Sequence, residues 1–394
     1  MLRKAVEETG IVRRPMPSRV HDAARRPKRV WSINGDFLAL QPNGVARYAR
    51  EVTLALDTLI LERHPLTDRL EIDLLAPRPA TEPLPLRSIP VRLVPEFDKP
   101  RLPQVWVQAQ LPGHVRGGLL SFCNLAPVAV TRQIVCIHDL HTRLMPESYG
   151  RLFRWAHRAI LPALGKRVAF ITTVSGLSRD HLVRFGVAPW HKIAVTYNGS
   201  DHALRWDAAR SNLKVASGRP YALCLGRDQK YKNAELMVRL AAKLDAMGLD
   251  LWMAGAVDEG LVRRHAAEVP NNLRLLGRIS DDDFKRALSG ALCFLFPSRI
   301  EGFGLPAVEA MTAGCPVVAS TSPCLPEICG DAALYANPDD LDAWAGHIRQ
   351  LQDDAPTRSR LVEAGFQKAQ RYSWRSVAET YLELMIKVDL AGVR

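Results

Sequence analysis

The sequence predicts an α/β protein made of two parallel sheets that face each other across a cleft. Three observations lead there. Short apolar runs alternate with helix-patterned segments along most of the chain. That alternation breaks off and restarts near residues 200–219. The chain has 394 residues, enough for two domains of ordinary size.

The pattern is preceded by residues 1–28. Residues 1–29 hold nine Lys or Arg against three Asp or Glu, without an apolar period, and read as a flexible basic tail. The first strand is Arg29-Val30-Trp31-Ser32-Ile33. Asn43-Gly44 then opens a helix with Val45, Ala49, Val52 and Leu56 near helical spacing. Further strands are expected over 70–76, 91–94, 119–123, 134–138, 168–174 and 193–197. After a polar stretch that ends at Gly218-Arg219-Pro220, strands recur over 221–226, 250–255, 273–277, 292–297 and 316–320. Between the first two lies a clear helix, with Leu236, Leu240, Leu244 and Met247 on one face and Gly248 as its stop. The resulting division is 29–205 for a first sheet domain, 206–372 for a second, and 373–394 for a last amphipathic helix packing back toward the first.

Composition narrows the function classes. At 47% hydrophobic and 24% charged residues the chain fits a globular protein. No apolar run approaches the ~18–20 residues of a membrane helix. The N-terminus lacks the apolar core of a signal peptide, so a cytoplasmic location is expected. Seven cysteines without a C-x-x-C pair read as buried, reduced thiols. A net charge of +12 suits an anionic partner: a membrane surface, a nucleic acid or a phosphorylated ligand.

Ligands of open parallel sheets bind beyond the carboxyl ends of the strands, so candidate residues follow strands. After the apolar run 292–297 come Glu301-Gly302-Phe303-Gly304-Leu305-Pro306, with Pro306 suited to the first turn of a helix. Glycines let backbone N–H groups approach a ligand, and a helix N-terminus favours an anion such as phosphate. Glu309, one turn into that helix, would repel phosphate but suits the paired hydroxyls of a ribose. Glu301 suits a second polyol. A carboxylate for each polyol and an amide loop for phosphates describe a nucleotide sugar. The plain alternative is a capping loop with two surface glutamates. A second element follows 221–226: Gly226-Arg227-Asp228-Gln229-Lys230-Tyr231-Lys232-Asn233, where Arg227 and Lys232 would reach a diphosphate, or form only a basic turn.

These pieces closely resemble the glycosyltransferase family 4 type of enzyme, with its two Rossmann-like domains in the GT-B arrangement. The resemblance rests on Gly226-Arg227 with Lys232-Asn233, on Asn272 to Gly277, on Pro297 to Met311, and on Leu325-Pro326-Glu327 with Gly330-Asp331-Ala332-Ala333. It runs over the chain from about residue 29 and is most specific over 297–333. It implies a retaining transferase in which Glu309 binds the donor ribose and Glu301 lies by the transferred sugar. Arg227 and Lys232 would hold the diphosphate, with the backbone from Gly302 through Phe303 and Gly304 to Leu305. Gly226 would shape the diphosphate loop, and Gly277-Arg278 would edge the base. Ile137-His138-Asp139 resembles the family's His-Asp element, placing His138 by the reacting sugar. Gly44 stands where many members have two glycines. The reaction implied has no covalent enzyme nucleophile and uses the donor phosphate to help deprotonate the acceptor.

Asp281-Asp282-Asp283 looks like an acidic metal site of another fold, yet Ser280 and the apolar helix that begins at Phe284 make it a capping arrangement. No metal or other cofactor is expected, since Arg227 and Lys232 carry the charge to neutralise a diphosphate. From Ser148 through Arg179 there are six Lys or Arg and no Asp or Glu, interspersed with Phe153, Trp155, Ile160 and Leu161. Such a segment suits an anionic membrane surface, or is an ordinary helix with a basic face; Pro162 argues against one unbroken helix. The acceptor expected is a glycan linked to a polyprenyl diphosphate in polysaccharide assembly. In this family the Leu-Pro-Glu and Gly-Asp-Ala-Ala run often accompanies mannosyl transfer, which implies GDP-mannose over a UDP-sugar as donor. A GT-B epimerase or hydrolase would share the fold. A dinucleotide oxidoreductase would need its glycine fingerprint in the first βα unit, where it is missing. No nucleic-acid-binding motif accounts for the charge.

Overall fold

The computed structural model describes residues 28–41, 43–80, 82–95, 105–214 and 218–392. Apart from Lys28, the tail expected at the N-terminus lies outside them. The first sheet comprises β1 (Arg29–Asn34), β2 (Leu70–Ala76), β3 (Val91–Leu93), β4 (Gly118–Ser121), β5 (Gln133–Cys136), β6 (Phe170–Thr173) and β7 (Ile193–Val195). Their order is β3-β2-β1-β4-β5-β6-β7. The second comprises β8 (Tyr221–Arg227), β9 (Asp250–Ala256), β10 (Leu273–Gly277), β11 (Cys293–Phe296), β12 (Val317–Ser320) and β13 (Ala333–Ala336), in the order β10-β9-β8-β11-β12-β13. Every pairing is parallel. Parallel strands need crossovers that cover both faces, which is why β4, β5, β11 and β12 are buried at every position.

Both sheets reverse direction of growth once, between β1 and β4 and between β8 and β11. Crevices form outside the strand ends at such switch points. In the second sheet the crevice therefore lies between the loop after β8 and the loop after β11, the two loops singled out by their chemistry.

The helices follow from local signals. Asn43 caps Gly44–Leu61 by accepting from the Ala46 amide at 3.0 Å, and Ala49, Val52, Leu56 and Leu59 form its buried stripe. Gly248, at φ +73°, ends the segment after Ala234–Ala246. Ser280 and Asp283 form a reciprocal capping box at Asp281–Gly290. All seven cysteines are buried and unpaired.

Two expectations need correction. The sequence pattern predicts twelve strands; β13 is a thirteenth among the described residues, a four-residue edge strand that begins at the last residue of the Gly-Asp-Ala-Ala run and pairs with β12. Pro162 does not break its segment: Arg151–Arg167 is one helix containing it. The carbonyl that loses its partner belongs to Arg158, an exposed residue, where solvent can satisfy it.

The last helix, Trp374–Ala391, crosses to the first sheet domain. Tyr381 hydrogen-bonds the Tyr48 hydroxyl at 3.0 Å and Thr172 at 2.6 Å, all in the interior. Asp389 receives Arg29 at 2.6 Å and the Trp31 indole at 2.9 Å.

Candidate active site

The two loops of the second sheet are stitched together by Asn233. Held at φ +56°, it donates from its side chain to Pro297 O at 3.3 Å and accepts from Arg299 at the same distance. The Arg299 amide also donates to Tyr231 O at 2.8 Å. This joint brings Lys232 Nζ to 2.5 Å from Glu301 Oε1, with both side chains largely buried. Arg227 is exposed at the end of β8, near enough to Tyr231 for its charge to be felt.

Gly304 is the N-cap of Leu305–Thr312 at φ +94°, and a Cβ there would lie 2.6 Å from Leu325. Glycine is the residue type that fits both demands. Gly302 is pressed against the first domain: a Cβ would sit 2.9 Å from His138 O, and Gly302 O accepts from Ser178 Oγ at 3.3 Å. Pro306 lies in the helix's first turn, so Phe303, Gly304 and Leu305 form its entrance. Glu309 is buried, 5% exposed, and its Oε1 accepts from His202 Nε2 at 2.8 Å. Gly226 packs closely on Val257, where a Cβ would be 2.3 Å from Cγ2. Gly277 ends β10 at φ +64°, with Arg278 next in the chain.

The first domain supplies the opposite wall. His138 is buried two residues past β5; its Nε2 bonds Phe122 O at 2.8 Å and its amide donates to Asn124 at 2.7 Å. In this arrangement its backbone carbonyl, rather than a ring nitrogen, meets the glycine loop. Gly44 begins its helix in the open, with no described residue within 4 Å of an added Cβ. Glu327, from the Leu-Pro-Glu run, crosses the cleft to cap Gly176–Arg184, accepting from the Gly176 amide at 2.7 Å and the Leu177 amide at 3.1 Å. The acidic triplet is engaged in the same way: Asp281 binds Arg47 through two hydrogen bonds of 2.8 and 2.6 Å. Burial pushes the Asp281 carboxyl up, but Arg47 outweighs it and the net shift is downward.

Three groups went unnoticed in the sequence. Arg47 reaches from the first domain to Asp281 and lies 3.6 Å from Glu309. His202 sits beneath Glu309. Asp36, just past β1, has a mostly buried carboxyl whose Oδ1 finds no partner among the described residues, and burial raises its pKa to about 7. None carries a motif. Asp36 alone offered a signal, an acid directly after Asn34-Gly35 at a strand end.

A family model for glycosyl transferases group 1 matches residues 207–368, the domain that holds these loops. O-antigen chain mannosyltransferase B of Escherichia coli is 30% identical over 267 residues, covering 64% of this chain and 69% of that protein. The chain belongs to the group 1 glycosyl transferases. A second relative of this glycosyl transferase is the GDP-mannose:cellobiosyl-diphosphopolyprenol alpha-mannosyltransferase of Komagataeibacter xylinus, 31% identical over 176 residues, 42% of this chain and 39% of that one. Its fold is similar to that of sucrose-phosphate synthase from Thermosynechococcus elongatus, at TM-score 0.70 and 18% identity, covering 92% of this chain and all of the other. The GT-B arrangement expected from the resemblance is present, and the epimerase and hydrolase alternatives find no support.

Proposed function

We propose that this glycosyl transferase moves mannose from GDP-mannose to a hydroxyl of a polyprenyl-diphosphate-linked glycan, with retention, at the cytoplasmic face of a membrane. The observation that carries the reading is the meeting of Lys232, Glu301 and the Gly302–Gly304 loop at the second sheet's switch point, one helical turn from Glu309. A diphosphate fits between Lys232, Arg227 and the N-terminus of Leu305–Thr312, where charge gained by the leaving group is stabilised. One preorganised donor of this kind is worth about 2.7–4 kcal/mol in the barrier. Glu309 takes the ribose, Gly277-Arg278 the edge of the base, and Glu301 the transferred sugar. His138 holds the strand-end turn against Gly302, beside that sugar. The two relatives' names support mannose, and the second supports a lipid-diphosphate acceptor.

The acceptor side fits that choice. Tyr149 and Phe153 stack at 5.8 Å with 16° between their planes, and His157 continues the row at 4.2 Å. An aromatic shelf of this kind suits sugar rings. Beyond it, Leu152 and Trp155 are 83% and 73% exposed among Arg151, Arg154 and Arg158, a composition suited to an anionic lipid surface. Among the described residues no helix is long and apolar enough to cross a membrane.

A donor screen tests the reading. The protein is heated with GDP-mannose, UDP-glucose, UDP-galactose or UDP-N-acetylglucosamine. A ligand at a hundred times its Kd adds about 2.7 kcal/mol of stability. A shift selective for GDP-mannose and lost in Arg227→Ala and Glu309→Ala is expected; stabilisation by none of them, in a folded sample, overturns it.

A further inference from the structure

Glu309 is held by a chain of buried groups that ends on the last helix, at Trp374. Its Oε1 accepts from His202 Nε2 at 2.8 Å. The other ring nitrogen, Nδ1, lies 3.0 Å from the indole nitrogen of Trp374. An indole N–H can only donate, so Nδ1 must present its lone pair, and in the neutral ring the proton resides on Nε2, aimed at Glu309. His202, Trp374 and Glu309 are 1%, 2% and 5% exposed, so water does not compete for these bonds.

The relay is built into the connection between the sheets. The Trp374 amide donates to Asp201 Oδ1 at 3.0 Å, and the Ser200 amide to Tyr372 O at 3.0 Å. Gly199 packs so closely that an added Cβ would lie 2.4 Å from the Trp374 nitrogen. Residues 199–202 are thereby fastened to the start of the helix that crosses to the first domain. Without His202, the nearest cation to Oε1 is Arg47, at 3.6 Å and already bound to Asp281. The carboxylate would then be free to turn. With His202 in place Oε1 is committed, and Oε2, which takes no hydrogen bond from any described residue, is left for a ligand.

We infer that His202 is a positioning residue for nucleotide recognition: it fixes the Glu309 carboxylate for the paired hydroxyls of a ribose, and Trp374 fixes the tautomer of His202. This rests on the reading of Glu309 as the ribose ligand. A merely structural histidine would change stability without changing how the protein tells a ribose from a deoxygenated sugar.

The test is calorimetric binding of GDP and 2′,3′-dideoxy-GDP to the full chain, with UDP and its dideoxy analogue alongside. The wild type is expected to prefer the ribonucleotide at least tenfold. His202→Phe should cut that preference to threefold or less. His202→Gln, whose side-chain amide can take the place of Nε2–H, should keep most of it. Trp374→Phe, with the ring present but its tautomer unfixed, should fall between. With donor turnover as readout, the His202→Phe loss falls on KM more than on kcat. A folded His202→Phe that keeps the full preference, while Glu309→Ala loses it, overturns the role of His202 alone. A preference that survives in Glu309→Ala overturns the ribose reading and this inference with it. Should His202→Phe fail to fold, Trp374→Phe decides: an undiminished preference there also overturns the relay.

Discussion

The ion pair between Lys232 and Glu301 makes a prediction in which two measurements move in opposite directions. Lys232, proposed to bind the donor diphosphate, is neutralised in this structure by Glu301 at 2.5 Å. A nucleoside diphosphate without its sugar must compete with that carboxylate for the ammonium. Two unit charges about 3 Å apart at an effective dielectric of about 20 attract by roughly 5–6 kcal/mol before desolvation. The side chains are 19% and 11% exposed, so desolvation offsets most of the attraction, and about 1–2 kcal/mol remains. Glu301→Gln releases Lys232 and removes a negative charge facing the diphosphate. GDP should therefore bind the variant about 5–30-fold more tightly. Turnover should fall by about a hundredfold or more, because Glu301 is proposed to hold the transferred sugar. Titration calorimetry with GDP and steady-state rates with the nucleotide sugar supply both numbers. GDP binding no tighter than to wild type would refute the competition, and unimpaired turnover would remove Glu301 from the site.

Asp36, with its carboxyl raised to about 7 by burial, lowers stability as pH rises. A folded-state pKa above the unfolded value of 3.8 means that stability is fully present below about pH 4 and is lost as pH rises through about 7. Asp36→Asn removes that loss, so its advantage in urea unfolding should grow from pH 4.5 to 7.5, toward about 2–4 kcal/mol; a difference independent of pH would contradict the burial. Glu327→Ala strips the cap that one domain places on a helix of the other. It should cost about 1–2 kcal/mol and widen the molecule in small-angle scattering, whereas an unchanged profile would mean the cap does not hold the cleft. Leu152→Ser with Trp155→Ser should weaken binding to vesicles rich in anionic lipid at least tenfold while sparing turnover of a water-soluble acceptor. Equal vesicle binding would dismiss that helix as the membrane contact.

Much of the fold was legible because parallel strands buried on both faces are written as unbroken apolar runs, and because caps such as Asn43 and Ser280 mark where helices begin. β13 escaped because Ala333–Ala336 is a four-residue edge strand with an alanine at each end, a residue type that favours strands weakly, and no β-branched residue to mark it. Pro162 misled because the rule concerns a carbonyl that loses its partner, and only the fold reveals that Arg158 faces solvent. The two loops proposed to hold the donor stand out in the sequence since their chemistry is local: glycines, a helix start and charges lie within a few residues of one another. Arg47, His202 and Trp374 could not, because they act on residues more than a hundred positions away and each sits in a segment whose own pattern explains it as helix or turn. Lys232 and Glu301 were both singled out, but their pairing depends on Asn233 joining two loops, which no spacing records.

The most direct test of the central claim is the product itself. Purified protein is supplied with GDP-mannose and a polyprenyl-diphosphate-linked glycan in lipid vesicles, and the acceptor is recovered for mass spectrometry and NMR. The expected product is an acceptor heavier by one hexose, joined with the donor's own α configuration, formed by wild type and lost in Glu309→Ala and Arg227→Ala. An inverted linkage, or transfer that persists in both variants, would contradict it.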